Sequence, residues 1–323
     1  NDEVYYLSGE GVYTNLNEVS VNGGKRKIVF DGKLNNMAIK SLVFSSGGKQ
    51  FVMAISKTDD RINLYSWDGK EPIERITDIN PSLVKYKLCK QEPFQFKARD
   101  GQEVEGLVIY PINYDTSKKY PLIMYIHGGP ESHHHNAWND RYSTPSQVMA
   151  GKGYLVAYLN YRASTGYGVA YSKQGLGDPA GKEFDDIADA IDYLCEQKGG
   201  DEDRVGIAGG SYGGYASAWF ATYYTKKVRA ACMFVGISNL ISKRGTTDIP
   251  YEEMYVHSGK PLEEQWQMNL ERSPVYYAHQ SKTATLIYSG ADDPRVHPTQ
   301  SMELYRSCLL YTSDAADEGL GVD

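Results

Sequence analysis

The run Gly209-Gly210-Ser211-Tyr212-Gly213-Gly214 sets a serine inside G-x-S-x-G. At that spacing a sharp strand-to-helix turn lifts a nucleophilic hydroxyl clear of the backbone. Small residues must flank it, because the strained turn leaves little room for side chains. The context agrees: Arg204-Val-Gly-Ile-Ala208 reads as a buried strand, and Tyr215-Ala-Ser-Ala-Trp-Phe-Ala221 reads as a helix. The plain alternative is a glycine-rich turn with an incidental serine. Neither the G-x-G-x-x-G spacing of dinucleotide sites nor the G-K-[ST] of phosphate loops occurs here, and no cofactor is expected.

A serine of this kind needs a base and an acid, in the chain order Ser, Asp or Glu, then His. Asp292 and Asp293 follow the strand-like run Leu286-Ile-Tyr-Ser-Gly-Ala291, and the residues alone do not separate them. Backbone N–H groups would hold the oxyanion, one from Tyr212 and one from the Ile126-His127-Gly128-Gly129-Pro130 loop. Pro130 has no N–H, which leaves Gly128 and Gly129. His127 precedes Ser211 by far and is read as shaping that loop. His133-His134-His135 is read as a solvated loop, since three consecutive imidazoles do not converge on one ion and no H-E-x-x-H spacing is present; no metal is expected. His257, His279 and His297 remain, and none is well placed as the base.

These residues need a scaffold. Tyr120–Ile126, Tyr154–Leu159, Val205–Ala208, Ala230–Val235 and Thr285–Tyr288 are near-continuous apolar runs, the pattern of strands covered on both faces. Between them Phe184, Ile187, Ala188, Ile191, Leu194 and Cys195 recur at helical steps. The expected fold is α/β, a doubly wound, mostly parallel sheet with its site beyond the strand carboxyl ends. Residues 1–90 differ: short alternating runs are separated by Gly9-Glu10-Gly11, Asn22-Gly23-Gly24 and Asp68-Gly69, an all-β texture. Tyr5, Leu7, Leu16 and Gly23 recur 46 residues later as Phe51, Met53, Ile62 and Gly69, a period that suits propeller blades. A boundary is expected near 85–95, giving about two blades over 1–90 and a second domain over 91–307.

The 323 residues carry a net charge of −7, so no basic field exists to hold nucleic acid. No apolar run approaches the length of a membrane helix, and no membrane partner is expected. Four scattered cysteines without a C-x-x-C pair are read as free thiols. Compartment and oligomeric state are not legible.

The His127-Gly-Gly-Pro130 loop, Asn160-Tyr-Arg-Ala-Ser-Thr-Gly-Tyr-Gly168, the Gly209–Tyr215 turn and Gly290-Ala-Asp-Asp-Pro-Arg-Val296 together resemble the prolyl oligopeptidase family of serine peptidases, in its acylaminoacyl and dipeptidyl peptidase branch. The resemblance is dense over 91–307 and implies an α/β-hydrolase domain preceded by an incomplete β-propeller. It implies Ser211 as nucleophile, Asp293 as the catalytic acid, and Tyr212 with Gly129 or Gly128 at the oxyanion. It further implies Arg295 on a substrate carbonyl, and Val296 and Ile237 in the pocket for the residue before the scissile bond, with a peptide as substrate.

In that family the catalytic His would fall beyond residue 323, so the chain is expected to be truncated at both ends and inactive as written. Residues 308–323 match nothing the family carries there and are read as a non-native tail. Two alternatives stand beside the peptidase: an esterase on the same fold, and a non-catalytic binding protein.

Overall fold

A computed structural model describes residues 2–45, 50–70 and 72–312. Two antiparallel sheets come first. β1 (Glu3–Glu10), β2 (Tyr13–Ser20) and β3 (Lys27–Phe30) form one; β4 (Ala38–Phe44), β5 (Phe51–Ser56), β6 (Asn63–Trp67) and β7 (Glu74–Arg75) form the other. β5, β6 and β7 follow β1, β2 and β3 at close to the offset read in the sequence, with β4 added on the β5 side. Alternation along β5 turns Phe51, Met53 and Ile55 inward. They join Leu16, Phe30, Tyr65 and Trp67 in one core shared by both sheets.

The larger sheet contains β8 (Gln91–Lys97), β9 (Glu103–Ile109), β10 (Tyr120–Ile126), β11 (Leu155–Asn160), β12 (Gly200–Gly210), β13 (Ala230–Phe234) and β14 (Ala284–Tyr288), in the order β14-β13-β12-β10-β11-β9-β8. The five strands from β10 to β14 run parallel, and β9 and β8 are antiparallel additions at one edge. The helices are α1 (Ser146–Gly151), α2 (Val169–Ser172), α3 (Lys182–Gln197), α4 (Tyr212–Thr222), α5 (Leu240–Thr246), α6 (Pro250–Glu252), α7 (Trp266–Glu271) and α8 (Thr299–Thr312). α3 buries its apolar stripe and places Phe184 edge-on to Tyr212 and Tyr215 of α4. Every residue of α4 is buried, so this helix has no solvent face.

Two expectations meet a different outcome. Coverage of the sheet on both faces fails at one end: Leu286 is 62% and Tyr288 43% exposed, and Cys232 and Phe234 are half-buried. The short α1 packs on β9 and β11, and among the described residues no element covers β13 and β14 on that side. α8 runs to Thr312, into the segment read as a tail, with Cys308 packed beside Leu304; residues 313–323 lie outside the described residues.

His133-His134-His135, expected to be a solvated loop, instead lies half-buried in the seam between the small sheets and the large one. The β1–β2 hairpin tip covers it: Gly11 N–H donates to Gly166 O at 2.8 Å, and Asn136 N–H to Val12 O at 2.7 Å. His134 packs against His127 and Tyr158, and Thr165 Oγ1 lies 2.8 Å from His133 Nδ1. Burial pushes all three imidazoles down, His135 to about 3.

A buried charge network locks the large sheet to α3. Arg162, just past β11, donates to Asp186 from Nε (2.9 Å) and Nη2 (2.6 Å), and to Asp100 from Nη1 (2.7 Å) and Nη2 (2.9 Å). Asp186 also accepts the Arg162 N–H. Both Arg162 and Asp186 are buried, so removing one partner strands a charge in a poor solvent. Asp186→Asn is expected to destabilise the chain by about 3 kcal/mol in urea unfolding. Glycine substitutions separate crowded from open positions. Gly213→Ala, whose Cβ would fall 2.1 Å from Ile126 O, is expected to cost about 3 kcal/mol. Gly245→Ala, in α5 with nothing within 4 Å, is expected to be neutral or to stabilise by up to about 1 kcal/mol.

Candidate active site

Ser211 stands alone between β12 and α4, at φ 58° and ψ −121°. A non-glycine residue at this φ is uncommon and must be held by its surroundings. The holding is done by backbone on every side. Ser211 N–H donates to Phe234 O at 3.1 Å, and Ser211 O accepts from Tyr215 N–H at 2.9 Å. A Cβ at Gly209 would lie 2.5 Å from Gly213 O, and one at Gly214 would lie 2.5 Å from Phe234 O. The ends of β10, β12 and β13 and the first turn of α4 therefore approach more closely than side chains permit.

The glycine loop after β10 lies beside the hydroxyl. A Cβ on Gly128 would be 3.1 Å from Ser211 Cβ and 3.6 Å from Ser211 Oγ. His127 turns away from the serine: its ring stacks on Tyr161 at 4.4 Å, and its Nε2 lies 3.0 Å from Ser164 Oγ. Burial lowers the His127 imidazole to about 4, so it is a neutral packing group of the loop at ordinary pH.

A cavity of about 220 Å³ opens at Ser211. Its walls include Gly129, Tyr212, Ile237, Arg295 and Val296, which the sequence singled out, together with Lys243, Ile249, Glu252 and His257, which it did not. Gly128 adjoins Ser211 but is outside this lining. A second cavity of about 290 Å³ opens toward the bare sheet face behind Gly128 and Gly210, and Ser211 is not among its walls.

Asp293 does not line the cavity at Ser211. It sits half-buried on the loop after β14, where Oδ1 accepts N–H bonds from Arg295 (2.9 Å) and Val296 (3.0 Å). The neighbouring Asp292 is exposed. Only Asp293 is thus fixed by its own loop, an asymmetry the sequence did not reveal. Arg295 reaches Asp248 from Nε at 2.6 Å and Nη2 at 3.4 Å, so its charge is partly spent before any ligand arrives. No histidine among the described residues hydrogen-bonds Ser211 or Asp293.

Behind the unforeseen part of the wall, Lys243 and His257 share the buried Glu253. Lys243 Nζ contacts Glu253 Oε1, and His257 Nδ1 lies 3.0 Å from the same oxygen. Burial favours a neutral Glu253, but hydrogen bonds from His257 and Lys243 and the charge of Lys243 outweigh it and hold the carboxyl at about 2. The signal available in the sequence is the four-residue spacing of Glu253 and His257, which puts both on one helical face.

Comparison with known proteins places this fold among peptidases. The prolyl oligopeptidase family profile matches residues 140–315. The uncharacterized peptidase YuxL of Bacillus subtilis is 31% identical over 303 residues, covering 93% of this chain and 45% of that protein. The acylamino-acid-releasing enzyme of Sus scrofa is 31% identical over 248 residues, 75% of this chain and 33% of that protein. Among solved structures, an acylaminoacyl peptidase in complex with Z-Gly-Gly-Phe-chloromethyl ketone superposes with a TM-score of 0.85 at 26% identity, covering 97% of this chain and 48% of that one. The chain therefore spans less than half the length of each of these relatives, and its architecture is an α/β-hydrolase domain preceded by propeller strands. With a family match over more than half of its length, the chain belongs to the prolyl oligopeptidase family.

Proposed function

We propose that this chain carries the acyl-transfer site of a serine peptidase acting on short peptides, with Ser211 as nucleophile. The observation that carries the reading is the meeting of Ser211, Tyr212, Gly129, Arg295, Val296 and Ile237 around one cavity. Ser211 Oγ attacks the substrate carbonyl carbon while its proton passes to an imidazole. Tyr212 N–H and the N–H of Gly129 or Gly128 take the resulting oxyanion. Collapse expels the amine, which leaves with that proton, and water repeats the sequence on the acyl-serine. Asp293 accepts the imidazole's second N–H, Arg295 holds a substrate carbonyl, and Val296 and Ile237 face the acyl residue's side chain. The peptide-derived inhibitor in the related structure supports a peptide as ligand.

All seven histidines are among the described residues, and none bonds Ser211 or Asp293, which supports an inactive chain as written. Loss of the triad histidine costs on the order of 10⁶ in kcat in a serine protease. The chain is therefore expected to show no Ser211-dependent turnover of a p-nitrophenyl ester by itself. Adding free imidazole is expected to restore a saturable acylation that Ser211→Ala abolishes. Imidazole-driven hydrolysis that is equal in Ser211→Ala would overturn the nucleophile assignment. Strong Ser211-dependent turnover without imidazole would overturn the inactivity.

The oxyanion donor on Tyr212 rests on a buried acid. Tyr212 Oη donates to Glu183 Oε1 at 2.9 Å, and Gly181 N–H donates to Glu183 Oε2 at 3.1 Å. Burial raises the Glu183 carboxyl to about 8, so it is protonated in the folded chain at neutral pH. The folded state then binds one proton more than the unfolded state between about 4.5 and 8, and this contribution to stability is lost as pH rises through that window. Unfolding free energies at pH 5 and pH 8 are expected to show the decline, and Glu183→Gln is expected to flatten it.

A further inference from the structure

The cavity at Ser211 has a chemical bias that shows in which of its charges are already used. Lys243 is paired with Glu253, and Arg295 with Asp248. Glu252 lines the cavity half-buried, and its carboxylate forms no hydrogen bond or ion pair with the described residues, although its charge reaches Arg295. His257 is 4% exposed, and its Nε2 is buried on the cavity wall without a hydrogen-bond partner among the described residues. Buried polar atoms are nearly always satisfied, so an unpartnered one on a cavity wall marks where a ligand atom belongs. Around the cavity two permanent cations, Lys243 and Arg295, are set against four carboxylates, Asp248, Glu252, Glu253 and Asp293. The surplus charge is negative.

We infer that this cavity selects peptides whose acyl residue bears a cationic side chain, lysine or arginine, with Glu252 supplying the counter-charge and His257 Nε2 a hydrogen bond. The inference rests on the reading of Ser211 as the nucleophile, which makes the cavity the seat of the acyl residue. Its size agrees, because about 220 Å³ lies below the usual volume of sites for drug-sized ligands and suits one long side chain. Tyr212, Ile237, Ile249 and Val296 give the aliphatic stem an apolar channel. An acidic side chain would meet cations that already have partners and a carboxylate that has none.

The test uses the whole chain as Ser211→Ala, so that binding is read without chemistry, with acetyl-lysine amide, acetyl-norleucine amide and acetyl-glutamate amide as probes. Norleucine keeps the stem and lacks the ammonium. Lysine is expected to bind about tenfold more tightly than norleucine, the size of one hydrogen bond to a charged group, and glutamate more weakly than either. Glu252→Gln, a half-buried position whose loss leaves the core untouched, is expected to shrink the lysine advantage to about threefold or less. The unchanged affinity for norleucine serves as the folding control. His257→Gln keeps a hydrogen-bonding group and is expected to retain part of the preference. Equal affinities for lysine and norleucine, or a preference for glutamate, would overturn the inference. Failure of imidazole to drive acylation at Ser211 while the lysine preference holds would instead sink the acyl-transfer reading and leave a cation-binding cavity.

Discussion

Everything at the site depends on how closely four backbones approach one another around Ser211. β10, β12, β13 and the first turn of α4 meet at distances that exclude a Cβ at Gly209, Gly213 and Gly214. The crossing leaves the serine one conformation, with φ positive and its side chain beside the Gly128-Gly129 loop. Contact of backbone with backbone is stiff, because no rotamer change relieves it, and the strain at Ser211 is borne by the sheet rather than by the loop. The fully buried α4 follows from the same constraint. A helix drawn so tightly onto the sheet has neighbours on every side, and its sequence is apolar or small all round.

Outside this knot, charge fixes what packing leaves free. Arg162, Asp186 and Asp100 join a strand end, a helix and a hairpin turn through hydrogen bonds that leave little of the guanidinium unpaired. Tyr212 bridges the two regimes: its backbone belongs to the turn, and its hydroxyl ends on a protonated Glu183. The cavity wall adds a third arrangement, in which Glu253 serves both Lys243 and His257 and the imidazole keeps one nitrogen free. Buried ion pairs are poor sources of stability and good sources of geometry. Here each one stands where a backbone or a cavity wall has to be held in position.

Most of the frame was legible because it rests on local pattern. Continuous apolar runs marked β10 through β14, helical spacing marked α3, and the glycines around Ser211 marked a turn that tolerates nothing larger. The choice between Asp292 and Asp293 was not legible from the residues, since it depends on which carboxylate folds back onto the N–H groups of Arg295 and Val296. Lys243, Glu253 and His257 escaped for a related reason. In the sequence they look like ordinary surface charges, and only the turn that brings α5 against the Glu253–His257 segment buries them together. Apolar patterning also overreached at β13 and β14, because it reports that a strand can be covered and not which element does so.

The histidines in the seam give the junction between the small sheets and the large one a character of its own. His127, His133, His134 and His135 are all held below their ordinary range by burial, His127 to about 4 and His135 to about 3. An unfolded chain takes up these protons as pH falls below 6.5, whereas the folded chain refuses them, so acid works against the fold at these four positions. Lys40 Nζ, 3.2 Å from His135 Nδ1 across the seam, adds a like charge to any imidazolium formed there. Glu183 favours the folded chain in acid, while the seam favours it in base. Of the four histidines, His133 and His135 touch the small sheets, at Gly9 and Lys40, so acidification loads that contact even where the turn at Ser211 is at its firmest.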